Sequence, residues 1–143
     1  MKSLKKVQTY LLAECFNKLF IGGQFVDPID GEKFPTYYPA TGELLHELPD
    51  GKANDIEEAI SSAEDAWAEG TWADMSAADR AEIVFKIAQG IEDNLEMLAE
   101  IEAADVGKPY RQAAKVMDGA ASEGKYWCSL GKVLDTDQDK PVN

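Results

Sequence analysis

Histidine and cysteine are nearly missing from this chain: its 143 residues include one histidine, His46, and two cysteines, Cys15 and Cys128. With a single imidazole, a metal centre built from several histidines is excluded on this chain alone. The two thiols lie far apart in no CxxC pattern, so neither a disulfide framework nor a zinc site is supported, and a reducing cytoplasm is the expected location. Positive charge is scarce too. Fourteen Lys and Arg stand against 27 Asp and Glu, a formal net charge of −13. Such a field repels phosphate backbones and anionic bilayers, so neither nucleic acid nor a membrane is expected as a partner. Long apolar runs are also lacking. After basic Lys2, Lys5 and Lys6, the stretch from Val7 to Ala13 is broken by Gln8 and Thr9 and ends at Glu14, too short to span a bilayer and a poor signal peptide.

What is present is ordinary for a soluble globular chain of about one domain: 45% hydrophobic and 29% charged residues, with no repeat and no low-complexity tract. Leu4, Val7, Leu11 and Cys15 fall at helical spacing and predict a short lead-in helix within residues 1–17. Residues 19–49 read as strands. Leu19-Phe20-Ile21 and Phe25-Val26 flank the hairpin turn Gly22-Gly23. Phe34 to Tyr38 and Leu44 to Leu48 flank a turn forced by Pro39 and Thr41-Gly42. These elements read as a small meander.

From residue 54 the period becomes helical. Asn54 with Glu57 three residues later predicts an N-terminal cap, Ile56, Ala59, Ile60, Ala63 and Trp67 form one apolar stripe, and Gly70 ends the helix. Ser76 with Asp79 opens the next helix, whose stripe is Ile83, Val84, Ile87 and Ile91, with a break near Asn94. Leu95 to Ile101 continue into a third helix capped by Gly107. Pro109 suits the first turn of a fourth, running to about Gly131. Its small residues, Ala113, Ala114, Ala120 and Ala121, with Gly119 and Gly124, predict close packing against neighbouring backbone. Residues 133–143 read as a polar tail. The fold class is α+β in the part present, without the alternation of a self-contained doubly wound domain.

Little chemistry is visible. Gly22-Gly23-Gln24 lacks both the spacing of a dinucleotide fingerprint and a following helix, and Gly107-Lys108 lacks the upstream glycine and the hydroxyl residue of a P-loop. Cys128 stands on a helix beside Trp127, 82 positions from the only histidine, and reads as a structural thiol rather than a nucleophile. Glu57, Glu58, Glu64 and Asp65 belong to solvent faces, and Trp67, Trp72, Tyr126 and Trp127 read as packing anchors. Asp105 has two readings. It either caps local amides or, beside the carbonyls left over at a helix end, offers oxygen to a hard cation. An independent small enzyme is not supported, because no nucleophile–base pair or metal cluster is present.

Several weak motifs stand in one order: Leu19-Phe20-Ile21-Gly22-Gly23-Gln24-Phe25-Val26-Asp27, then Pro39-Ala40-Thr41-Gly42-Glu43, then Trp72 with Ala77-Ala78-Asp79-Arg80. Leu98-Ala99-Glu100-Ile101-Glu102, Asp105-Val106-Gly107-Lys108-Pro109 and Lys125-Tyr126-Trp127 follow. In that order and spacing the chain resembles the N-terminal portion of the aldehyde dehydrogenases, with residues 18–132 as the similar segment. The resemblance implies an α/β enzyme that oxidises an aldehyde to a carboxylic acid with NAD or NADP. It also implies that no catalytic and no cofactor-binding residue lies on this chain, since the family's cysteine, glutamate, asparagine and cofactor-holding groups fall beyond the similar segment. Some members hold a structural monovalent cation, Na+ or K+; the matching positions here are Thr36, Tyr37 and Asp105, and Tyr38 stands where the family usually has asparagine. The partners implied are the remainder of an aldehyde dehydrogenase or a homo-oligomer, with a small aldehyde as substrate of the complete enzyme. The alternative is a stand-alone, non-catalytic interaction or assembly module built on that scaffold.

Overall fold

A computed structural model describes residues 4–134; residues 1–3 and 135–143, the latter nearly all of the expected tail, lie outside the described residues. Helix α1 (Leu4–Tyr10) and a single 3-10 turn (Glu14–Phe16) lead into two antiparallel hairpins, β1 (Leu19–Ile21) with β2 (Gln24–Val26) and β3 (Lys33–Tyr37) with β4 (Leu44–Pro49). Helices α2 (Ala53–Ala68), α3 (Ala77–Asp93), α4 (Leu95–Val106) and α5 (Tyr110–Leu134) follow. The expected meander is instead two separate two-stranded sheets. The loop over 27–32 turns at Gly31 (φ +67°) and carries the chain away from β2, so β2 and β3 never pair.

Local turn chemistry explains most boundaries. Ser76 caps α3: its hydroxyl accepts from the Asp79 N–H at 3.1 Å and donates to the Asp79 carboxylate at 2.8 Å, satisfying one of the donors a helix start leaves over. Asn94 separates α3 from α4, and Gly107 ends α4 in the left-handed conformation at φ +70°, where a glycine carries no Cβ penalty.

Helix α2 departs from expectation. It starts at Ala53, and the acid that serves its N-terminus is Asp55 rather than Asn54 or Glu57. One Asp55 oxygen accepts from the Lys52 N–H at 2.8 Å; the other accepts from the Ile29 N–H at 2.9 Å. A single carboxylate thus fastens the 27–32 loop to the helix start. Those two amide donors hold the Asp55 pKa below its ordinary 3.8.

Two cores result. Val7 of α1 and Leu11 just beyond its end pack on Tyr38, Leu45 and Ala104, flanked by Leu4, Phe16 and Ile101; the Gln8 amide donates to the Leu44 carbonyl at 2.9 Å and pins α1 to β4. The second core joins Ala99, Ala103 and Ala113 with Ala114 and Met117, where α4 meets α5. Against α3, helix α5 uses its small residues as the sequence predicts. A Cβ added at Gly124 would lie 3.0 Å from the Ala88 Cβ, and one at Gly131 would lie 3.8 Å from that of Ala81.

The large apolar stripes stay mostly uncovered. Ile56, Ile60 and Trp67 of α2 are 54–72% exposed, and Ile83, Val84 and Ile87 of α3 are 37–60% exposed. The buried residues are Asp55 on α2 and the alanines Ala81 and Ala88 on α3. Trp72, Tyr126 and Trp127 are likewise exposed rather than anchoring a core. Alanine and glycine faces bring backbones together most closely, so they win the interior contact, while the bulkier stripes are left facing out.

Candidate functional site

The chemistry-bearing positions gather where the end of α4 meets the turn between β3 and β4. The ladder between those strands runs from the Lys33–Pro49 pair to the Tyr37–Leu44 pair and slips one residue between Thr36 and Tyr37. Such a bulge turns backbone oxygens off the ladder. Beyond it, the Tyr38 N–H donates to the Glu43 carbonyl at 2.8 Å, and the Tyr38 carbonyl accepts from the N–H groups of Thr41 (3.2 Å) and Gly42 (2.8 Å). The Thr41 hydroxyl closes the turn on the Glu43 carboxylate at 2.8 Å. A Cβ at Gly107 would lie 3.3 Å from the Pro39 Cβ, so only glycine combines the left-handed cap with this approach. Tyr38 and Ala104 share the first core.

The two segments that carry Thr36, Tyr37 and Asp105 are therefore adjacent at Pro39 and Gly107. Thr36 is half-buried and its hydroxyl donates to the His46 carbonyl at 3.4 Å; Tyr37 and Asp105 are exposed. The donor set available here is carboxylate and carbonyl oxygen, the chemistry of a hard cation. The neighbouring ammonium of Lys108 is held by Glu102 at 2.5 Å, which keeps a competing positive charge engaged elsewhere. No cluster of three or more His, Cys, Asp or Glu side chains stands together among the described residues.

The two thiols stay apart in character: Cys15 is exposed and Cys128 is buried. Cys128 packs beside Arg80, Ala81, Val84 and Gly131, and no imidazole or carboxylate lines that cleft with it, which fits a structural thiol. His46 lies half-buried on β4 with its Nε2 sealed from solvent and without a hydrogen-bond partner.

A buried polar node was not anticipated from the sequence. Glu100, 7% exposed, accepts from the Tyr10 hydroxyl at 3.1 Å and pairs with the Lys6 ammonium at 2.9 Å, which also reaches Glu96 at 3.3 Å. Beside it lies a cavity of about 200 Å³ whose walls include Leu4, Val7, Tyr38 and Tyr110. The signal was available: Glu100 is the acid inside the otherwise apolar run Leu98–Ala104 that faces α1, apart from Glu102, which Lys108 engages.

Residues 25–142 match the family model described as the aldehyde dehydrogenase family. A mitochondrial benzaldehyde dehydrogenase of Antirrhinum majus is 42% identical over 101 residues, which are 71% of this chain and 19% of that protein. Aldehyde dehydrogenase B of Escherichia coli is 44% identical over 95 residues, 66% of this chain and 18% of that protein. Among solved structures, a betaine aldehyde dehydrogenase of Staphylococcus aureus in complex with NAD+ superposes with a TM-score of 0.85 at 25% identity, over 90% of this chain and 25% of that one. An aldehyde dehydrogenase of Bacillus cereus superposes with a TM-score of 0.82 at 35% identity, over 96% and 28%. The chain thus spans between about a fifth and somewhat over a quarter of the length of these relatives.

Proposed function

The chain belongs to the aldehyde dehydrogenase family, and from that premise we propose that it is the N-terminal part of an enzyme oxidising a small aldehyde to the carboxylic acid with NAD or NADP. In this reading residues 18–132 are the family segment, 1–17 a lead-in and 133–143 a tail, and the segment contributes scaffold rather than chemistry. The observation that carries it is the surface. The family match comes with apolar stripes on α2 and α3 that stand exposed, and no large side chain among the described residues is fully buried. Apolar faces of this extent belong against other protein. The nucleophile, the general base and the nicotinamide-binding groups come, on this proposal, from the rest of the enzyme. No described helix is long and apolar enough to cross a membrane, and we place the complete enzyme in the cytoplasm.

Incubating the purified 143-residue chain with NAD+ and a panel of aldehydes should show no turnover. Measurable NADH formation by the chain alone would overturn the scaffold role. The stand-alone module predicts instead one sharp calorimetric transition for the isolated chain; the closed core around Leu45 favours it, the bare faces oppose it.

Thr36, Tyr37 and Asp105 are proposed to hold a structural Na+ or K+, the bulge carbonyls and the Asp105 carboxylate supplying the oxygens. Exchanging choline for Na+ or K+ at fixed ionic strength should lower the melting temperature. Asp105→Ala should remove most of that cation dependence, and an equal dependence in both proteins would refute the assignment.

A further inference from the structure

The exposed side chains of α2 are not scattered. Ile56, Ile60, Ala63 and Trp67 recur at intervals of four, three and four, the alternation that places successive apolar side chains along one seam of a two-helix coiled contact. Ile56, Ile60 and Trp67 are 56%, 54% and 72% exposed. The seam covers about 16 Å along the axis at 1.5 Å per residue, the length of three turns. Immediately beside it, one heptad apart, stand Glu57 and Glu64, the flanking positions whose charge selects the partner in such contacts. Neither forms an ion pair among the described residues, whose salt bridges all use other acids. The helix has no Lys or Arg at all. Its opposite side is engaged already, through Asp55 on the 27–32 loop and Ser62 beside the β1–β2 turn at Gly22.

We propose that this face of α2 docks a basic amphipathic helix supplied by the remainder of the enzyme, with apolar side chains on Ile56, Ile60 and Trp67 and Lys or Arg opposite Glu57 and Glu64. The proposal rests on the chain being part of a larger dehydrogenase. Three observations select this occupant. The acidic flank favours a cationic counterpart over a neutral or acidic one. A second copy brings another net charge of −13 and, in the antiparallel arrangement, sets glutamate against glutamate. The relatives are several times longer than this chain, which leaves ample polypeptide to supply a three-turn helix.

The test uses the full chain with Trp67 as its only indole (Trp72→Phe, Trp127→Phe). It is titrated with synthetic helical peptides of about two heptads sharing leucine at the seam positions and carrying Lys, Gln or Glu at the flanks. Binding is read as the blue shift and acrylamide protection of Trp67, with helicity checked by circular dichroism. The lysine peptide is expected to bind about tenfold or more tighter than the glutamate peptide at low salt, with the glutamine peptide between. Joint Glu57→Gln and Glu64→Gln substitution should collapse that difference, Glu123→Gln on α5 should leave it, and Ile60→Ser should weaken all three peptides. Equal affinities, or equal effects of the α2 and α5 substitutions, would refute the proposal. So would a dimer of the chain alone that Ile60→Ser dissolves in sedimentation, since it assigns the face to a second copy. Aldehyde turnover by the isolated chain sinks the scaffold reading by itself and leaves the peptide result to be judged separately.

Discussion

Leu45 and Ile60 are similar aliphatic side chains in two halves of the molecule that have met different fates. Leu45 of β4 is 3% exposed, closed in by Val7, Leu11, Tyr38 and Ala104. Ile60 of α2 is 54% exposed, on a stripe of equal apolar quality. The first half brings its own cover, because α1 folds back over the β3–β4 hairpin and α4. The second half, α2 with the β1–β2 hairpin, is tied down by hydrogen bonds at Asp55 and has no apolar lid. Amphipathicity thus specifies that a face is to be buried without specifying that the same chain will bury it.

The widest separation expected between the halves comes from truncating these two residues. Leu45→Ala should cost about 2–5 kcal/mol in the isolated chain, the transfer and cavity cost of a buried leucine. Ile60→Ala should stay within about 0.5 kcal/mol, as surface substitutions do. Urea unfolding of both variants measures this. Comparable losses would show that α2 is covered in solution and would break the contrast. In a complete enzyme the Ile60 substitution should become costly while the Leu45 cost stays unchanged.

A smaller effect is expected at the close contact of α3 and α5. Gly124→Val puts branched carbon where even a Cβ lies 3.0 Å from the Ala88 Cβ, and overpacking of this kind costs about 1–3 kcal/mol. Gly119, on the same helix, has nothing within 4 Å of an added Cβ. Gly119→Ala should therefore stabilise by about 0.5–1 kcal/mol through helix propensity alone. If both glycines respond alike in thermal melts, close approach is not why α5 is rich in small residues.

These contrasts show what could be read from the chain alone. The Gly22-Gly23 hairpin, the Ser76 cap, the Asn94 break and the Gly107 terminus were legible because each depends on residues within a few positions of itself. The burial of Cys128 and the small-residue packing of α5 were legible for a related reason: residue size limits how close a neighbour can come. That Ile56, Ile60, Ile83 and Ile87 share apolar faces was legible too; which of those faces this chain covers was not, because periodicity reports a face and is silent on what covers it. Asp55 was missed because its second partner, Ile29, lies on a loop that only the folded chain delivers. The pairing of Lys6 with Glu100 spans 94 positions and had no local mark beyond an acid in an apolar run. For the candidate cation site, the family resemblance grouped Thr36 and Tyr37 with Asp105, while the close approach of Gly107 to Pro39 had no mark in the sequence.

The test that sharpens the comparison most selectively concerns the Asp55 tie that substitutes for apolar cover in the second half. Because the N–H groups of Lys52 and Ile29 hold its pKa below the ordinary 3.8, the folded state favours the ionised carboxylate. A group depressed in this way contributes stability that is fully present above 3.8 and is lost as the pH falls through its folded value. Asp55→Asn keeps one carbonyl acceptor and the side-chain size but loses the charge. It should therefore lower the melting temperature modestly at pH 7, and the two melting curves should converge as the solution is acidified below 3.8. The same titration on Lys6→Met, which unbalances the buried Glu100 in the first half, should give a loss of about 1–3 kcal/mol at neutral pH. A gap between Asp55→Asn and the parent that persists unchanged into acid would mean that the tie acts by shape rather than by charge, and that electrostatics do not compensate for the missing lid on α2.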